Sequence, residues 1–440
     1  MAASTHDITG LIAHDINLNT YPEMDLGLDD AITEVQFGDM HGNTLKILAL
    51  LKTSGVIDIP KDKYDDFVKL YTDTYNLMED HSRKGQTANG DLRYRAWKRF
   101  AKDNPVFTAE MNIQFEAILA SIHVINKERF VTFLGDILSD RGASDYLTLK
   151  LLAHLKKEGM QYRIIFSNHD LEFVWQYERL LSEPVSRLDD RDDQIMYRYA
   201  MATDRHQGAS VHHLLACVRQ EVISLDELTQ IVRDAYYPHL ELFGYSLQKE
   251  GAGIYILSHA PMSLQEMASQ VEQKFDITIN TSNRKKFAQS IDKLNTQFKH
   301  ILLDGEFTSA APWQDDASKR QNPIYQIVWS RHVSSDSRPL RETDFDTLKP
   351  VTFVHGHSMD KRGANPRPGV LTLDDVVGKD MSCHSGIVFI AALAHTELKS
   401  TLEVSEAATP KASRYRFYSP EAIRLESGIL SSVVNNEPRA

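Results

Sequence analysis

The sequence predicts an α/β fold with a two-sheet core, interrupted by helical insertions. Three observations carry that reading. Apolar runs of strand length alternate with longer stretches of helical periodicity. Five of those runs stop at short polar sequences rich in Asp, Asn and His, and the C-terminal ends of strands are where sites assemble in α/β sheets. Finally, 96 residues separate Asp39 from Asp136, far more than the roughly 30 a βαβ unit needs.

In chain order, residues 1–30 are polar and lack a long periodic pattern, which predicts a loose lead-in. Ile32–Phe37 alternates as a strand and enters Gly38-Asp39-Met40-His41-Gly42-Asn43. Leu45, Ile47, Leu48, Leu50 and Leu51 follow at helical density as far as Gly55. Phe130–Leu134 leads to Gly135-Asp136 and a helix from Ser144 to Lys157, and Arg163–Phe166 leads to Ser167-Asn168-His169-Asp170 and another helix. Ile254–Leu257 stops at Ser258-His259, and Val351–Val354 at His355-Gly356-His357. Val370–Leu373, Ile387–Ile390 and Arg414–Tyr418 read as further strands.

Three insertions are expected within one main domain spanning 31–425, with 426–440 as a tail. In the first, 56–128, Tyr64, Phe67, Val68, Tyr71, Tyr75 and Met78 share one helical face. Phe107, Met111, Phe115, Ile118, Leu119 and Ile122 share another, across a polar break with Gly85 and Gly90, so a helical hairpin is predicted. The second, 185–245, also reads as helical. The third, 304–323, reads as a lid or loop.

A formal net charge of −12 argues against nucleic acid as a partner. Two distant cysteines, Cys217 and Cys383, form no disulfide framework and suit a reducing, cytoplasmic compartment. The sequence shows neither a membrane-length apolar run nor a secretory leader pattern.

The polar strand ends suggest metal chemistry. Asp39 and His41, at i and i+2, can face one ion, Gly38 and Gly42 permitting the turn. Asp136, Asn168, His259 and either His355 or His357 add carboxylate, amide and imidazole donors. Such a set suits Mn²⁺, Fe or Zn²⁺, and the lack of thiolates argues against structural zinc. A carboxylate shared by two ions, here assigned to Asp136, would hold them about 3.5–4 Å apart and lower the pKa of a water between them from 15.7 towards 7.

The blocks GDMHGN, GDILSDRG, SNHD, SHAP, WSRH and HGHS, spanning Gly38 to Ser358, resemble the calcineurin-like metallophosphoesterases. Within these they are similar to the phosphoprotein phosphatases, and Trp329-Ser330-Arg331 to the bacterial and phage branch. The large helical insertion further resembles the Wip-type effector phosphatases of Legionella. The resemblance implies an αββα metallophosphoesterase sandwich hydrolysing phosphate monoesters with two divalent ions, Mn²⁺ first. It assigns Asp39 and His41 to one ion, Asp136 to the bridge, and Asn168, His259 and His357 to the other. Arg141 and Arg331 would clamp phosphate, whose oxygens a guanidinium fork matches. His169 would protonate the leaving oxygen with Asp140 behind it. Two departures stand out. GDILSDRG is one residue longer than the family's GDxxDRG, and Ser167 and Asp170 replace Gly and Glu.

The implied partner is a phosphorylated protein, phosphotyrosine slightly ahead of phosphoserine and phosphothreonine, and the implied location the host cytosol if the chain is an exported effector. A small-molecule phosphoesterase acting on dinucleoside polyphosphates or nucleotides, and an inactive metal-binding scaffold, are the competing readings. The hairpin is a candidate protein-interaction element, although its basic stretch Arg93–Arg99 reads first as a solvated face.

Overall fold

The computed structural model describes residues 10–22, 26–28, 30–84, 107–182, 214, 217–218, 220–247, 253–312, 321–330, 348, 351–358, 370–379 and 383–394. Two main sheets carry these residues. The first has the order β1 (Gly10–Asn17), β12 (Ser385–Leu393), β2 (Glu34–Phe37), β5 (Phe130–Phe133), β6 (Tyr162–Ile165) and β7 (Leu240–Glu241). β2, β5, β6 and β7 are parallel; β12 runs antiparallel to β2, and β1 antiparallel to β12. The second sheet has the order β11 (Val370–Thr372), β10 (Val351–His355), β9 (Ile254–Ser258) and β8 (Gly244–Leu247), with only β8 antiparallel. A short antiparallel pair, β3 (Ile57–Asp58) and β4 (His123–Val124), lies near the two ends of the segment 56–128.

Ile165 of β6 and Ala391 and Leu393 of β12 form one buried apolar cluster with Tyr255, Leu257 and Val354 of the second sheet. The two sheets therefore share a core layer. A polar network joins them as well. Arg163, on β6, donates to Glu34 Oε1 at 2.8 Å, Thr132 Oγ1 at 2.9 Å, and Tyr245 O and Ser246 Oγ of β8 at 2.9 and 3.0 Å. Ser246 Oγ donates to Glu34 Oε2 at 2.7 Å. The alternation in 32–37 correctly marks a strand, yet its polar residues Glu34 and Gln36 are as buried as its apolar ones, the Glu34 carboxylate being held by Arg163 and Gln36.

The helices begin where their sequences supply caps. In α1 (Thr44–Thr53) the Asn43 side chain accepts from the Lys46 N–H. α2 (Lys61–Lys84) and α3 (Ala109–Leu119) pack through Phe67 and Phe115, stacked at 5.6 Å. Tyr64, Phe67, Tyr71 and Tyr75 are buried, as are Phe107, Phe115, Ile118, Leu119 and Ile122. The described members of both faces read from the sequence thus point inward, Val68 and Met111 being half-buried, while the Met78 side chain lies outside the described residues. α4 (Asp145–Lys157) and α5 (Asn168–Ser182) follow β5 and β6. α3 and the helix at Leu225–Ile231 brace α4: the Tyr146 hydroxyl donates to Asn112 Oδ1 at 3.1 Å, and Lys150 pairs with Glu116 and Glu227.

Two expectations are corrected. The lead-in is not loose throughout, because Gly10–Asn17 is the edge strand β1, in register with Ser385–Ala392. Its Ile12, Ile16 and Leu18 give too short a signal to stand out before β12 is known. The stretch 185–245 is not helical to its end: after a helix at Leu225–Ile231 and a π turn at Val232–Tyr236, it yields β7 and the start of β8. Two-residue β7 is too short to show a period. Among the described residues, no helix is long and apolar enough to cross a membrane. Arg93–Arg99, Arg331, Arg414–Tyr418 and the tail 426–440 lie outside the described residues.

Candidate metal centre and active site

The ends of β2, β5, β6, β9 and β10 meet, and with them the residues that the sequence singles out. Asp39, His41, Asp136, Asp140, Asn168, His169 and His259 are all buried. Carboxylate and imidazole atoms of Asp39, Asp136 and His259 lie within 4.8 Å of one another, as do those of His41, Asp136 and Asp140. Asp136 is common to both groups, the place expected of a bridging carboxylate. Its Oδ1 is buried without a hydrogen-bond partner and lies 3.5 Å from His259 Nε2. Desolvation would by itself raise the Asp136 pKa, but the nearby imidazoles of His259, His169 and His41 hold it below the usual carboxylate range. Asp39 is shifted the other way, by burial and by the charges of Asp374 and Asp136. Clustered oxygens and imidazoles, one of them a buried carboxylate oxygen with no donor, fit a divalent ion.

The grouping differs from the i, i+2 expectation, for Asp39 clusters with His259 and His41 with Asp140. His259 Nε2 also lies 2.8 Å from Asn168 Oδ1, and its Nδ1 2.7 Å from Leu134 O. Of the two histidines left open after β10, His357 brings its ring to 4.9 Å from that of His259, while its N–H donates to both Asp39 carboxylate oxygens at 3.0 and 2.9 Å. His355 instead turns to Thr372 Oγ1, 3.1 Å from its Nε2.

Both departures from the family pattern have a structural account. The extra residue in GDILSDRG is absorbed at Ser139, which takes φ +58° and donates its N–H to Asp145 Oδ1 at 2.9 Å. Asp140 thereby still reaches the site, with Oδ2 3.3 Å from His41 Nδ1 and Oδ1 3.5 Å from His169 Nε2. Arg141, next to it, pairs with Asp140 at 3.1 Å and keeps its side chain 17% exposed at the rim. Ser167 and Asp170 act together: Ser167 Oγ accepts from Asp136 N at 2.9 Å and donates to Asp170 Oδ2 at 2.6 Å. Asp170 Oδ1 accepts from the Tyr236 hydroxyl at 2.6 Å and from Leu138 N at 3.3 Å. The pair fixes the Asp136 loop from behind.

His169 lies between two carboxylates, with Asp140 facing Nε2 and Glu172 Oε2 3.6 Å from Nδ1. Burial would depress its pKa, but Asp140 and Asp136 outweigh that and push it up to about 10.

These features have counterparts in known proteins. Residues 130–379, more than half of the chain, match a family described as "WipA-like, phosphatase domain". The chain belongs to the WipA-like phosphatase domain family. The family match begins at β5, so it takes in Asp136, Asp140, His169, His259 and His357 but not Asp39 or His41. The structural likeness reaches further: the phosphatase domain of the Legionella effector WipB superposes with a TM-score of 0.56 at 25% identity, covering 74% of this chain and all of that one. No curated protein matches the chain. As a WipA-like phosphatase domain, the molecule carries a hydrolase site, and the acidic and histidine cluster at its strand ends is consistent with metal dependence.

Sequence reasoning missed four charged neighbours of this site. Glu172 is invisible as anything but a helical glutamate. Lys46 reads as a surface residue of α1, yet it is fully buried and donates to Asp39 O at 2.6 Å and Asp375 Oδ1 at 2.9 Å. Asp374 and Asp375 lie just past the end of β11, and the polar strand-end rule applied to the five other strands would have found them.

Proposed function

We propose that the chain is a metal-dependent phosphoprotein phosphatase, an αββα metallophosphoesterase sandwich of the phosphoprotein phosphatase type that hydrolyses phosphate monoesters. The observation that carries this reading is Asp136, common to both donor groups and holding a buried oxygen with no hydrogen-bond donor. A pair of divalent ions, Mn²⁺ first, would supply an acidified water as nucleophile and positive charge for the phosphoryl group. Asp39, Asp136 and His259, with Asn168 and His357 beside them, form one half of the cradle, and His41 the other. His169 holds the proton for the leaving oxygen, and the Asp140 carboxylate orients its ring and balances its charge. Arg141 at the rim and Arg331 supply guanidinium groups for the phosphate oxygens.

The substrate is a phosphorylated protein, with phosphotyrosine ahead of phosphoserine and phosphothreonine. That order rests on the Wip-type resemblance, and the likeness to WipB supports an effector acting in a host cytosol. The test is a panel of phosphotyrosine, phosphothreonine and phosphoserine peptides, each with Mn²⁺ and with chelator. Turnover that needs Mn²⁺ and falls at least about 10²-fold in Asp136→Asn is expected. Hydrolysis indifferent to chelator and to this substitution would overturn the reading.

A further inference from the structure

Asp374 and Asp375 are neighbours in sequence, both buried, with opposite surroundings. Asp375 is engaged: its Oδ1 accepts from Lys46 Nζ at 2.9 Å and from Val377 N at 2.8 Å. Asp374 Oδ1 is buried with no hydrogen-bond partner, although the residue is only 4% exposed. The nearest groups to that oxygen are Lys379 Nζ at 3.8 Å, beyond hydrogen-bond reach, and His41 Nε2 at 4.0 Å. Of the charges around Asp39, that of Asp374 acts most strongly. The chain brings Asp374 here by letting two strand ends touch. A Cβ on Gly38 would lie 1.9 Å from Leu373 O, so only glycine admits this approach.

We propose that Asp374 is a further ligand of the divalent ion held by His41, bound on the Nε2 edge of the His41 ring. The proposal rests on the metal-dependent reading above and extends it to a residue outside the motif blocks. Donors each about 2.0–2.2 Å from one ion lie at most about 4.4 Å apart, so 4.0 Å between His41 Nε2 and Asp374 Oδ1 is compatible with a shared ion. The ring chemistry agrees. Without an ion, Nε2–H can donate to Asp375 O, 2.9 Å away. Ligation through Nε2 leaves the proton on Nδ1, where Asp140 Oδ2 accepts at 3.3 Å. A carboxylate behind a metal-bound imidazole is the arrangement that fixes tautomer and ring orientation.

The full chain, stripped with chelator, is titrated with Mn²⁺ alone by calorimetry, and melting of the metal-free forms is measured beside it. Wild type is expected to take two equivalents. Asp374→Asn should weaken one of them about tenfold or more, while its metal-free form melts no lower than wild type, because a crowded carboxylate has been removed. Lys379→Gln should bind Mn²⁺ at least as tightly as wild type, with an unchanged metal-free melting point. It decides the matter if Asp374→Asn does not fold. Wild-type Mn²⁺ binding in Asp374→Asn would overturn this inference alone. So would a Lys379→Gln variant whose metal-free form loses stability with Mn²⁺ binding intact, since the pair would then be a structural ion pair. Absence of Mn²⁺ binding by wild type would overturn the metal-dependent reading with it.

Discussion

His41, Asp136 and His357 take φ of +56°, +54° and +60°, and Ser139 in the same set of loops takes +58°. Each such backbone costs on the order of 1 kcal/mol or more for a residue with a Cβ. The surrounding hydrogen bonds hold it in place. At His357 the strained turn has a visible purpose, aiming its N–H at the Asp39 carboxylate. Gly356 makes this possible, because a Cβ there would sit 1.9 Å from Asp39 Oδ1. Gly356→Ala is therefore expected to displace Asp39, weakening Mn²⁺ binding and lowering kcat/KM on an aryl phosphate by about 10²-fold, the size of loss that misplacement by an ångström brings. Equal Mn²⁺ titrations for variant and parent would refute this. At this scale the sequence is informative about residues that end strands in recognisable blocks: Asp39, Asp136, Asn168, His169 and His259 converge as their motifs imply. Lys46 and Glu172 were not legible. A lysine and a glutamate on amphipathic helices look like solvated residues until the third dimension places them against Asp39 and His169.

Among the elements, the site occupies one edge of the strands, while the Arg163–Glu34 network ties the sheets together elsewhere along β2, β6 and β8. Glu34 accepts from Gln36 and Thr132 as well as from Arg163 and Ser246. Glu34→Ala would leave the Arg163 guanidinium buried and uncompensated. A loss of about 3–5 kcal/mol is expected in denaturant unfolding. Adding Arg163→Met should restore part of it, whereas equal stability of Glu34→Ala and wild type would show that the network is solvated. Strands flanked by apolar neighbours were legible as runs: β5, β6, β9 and β10 fall within a residue or two of their predicted bounds. What escaped was short or depended on a distant partner. β3, β4 and β7 have two residues each, and β1 becomes a strand only because β12 lies beside it. No local period encodes such pairing.

For the molecule as a whole, acid sensitivity is predicted to arise in part at His239, away from the candidate metal centre. The His239 ring stacks on Tyr162 at 4.0 Å, and its Nδ1 lies 2.9 Å from Tyr162 O. Burial pushes the imidazole down to about 4 despite that hydrogen bond, and Lys156 and Lys299 push the same way. Between pH of about 4 and the unfolded value near 6.5, the unfolded chain binds the proton and the folded chain does not. The stability contribution of neutral His239 is thus complete above about 6.5 and lost as pH falls towards 4. In His239→Phe this part of the pH slope should flatten by on the order of 1–2 kcal/mol. Parallel slopes for the two proteins in urea unfolding would contradict it.

Among the described residues, α2 reaches a loop of the candidate site through a hydroxyl. Tyr71, on α2, accepts from the Ala143 N–H at 3.3 Å, at the end of the loop that carries Asp136, Asp140 and Arg141. α2 therefore serves as a buttress for that loop. Without α2 the Ala143 N–H would lose this acceptor, and the strand-end loop beside it would be left slack.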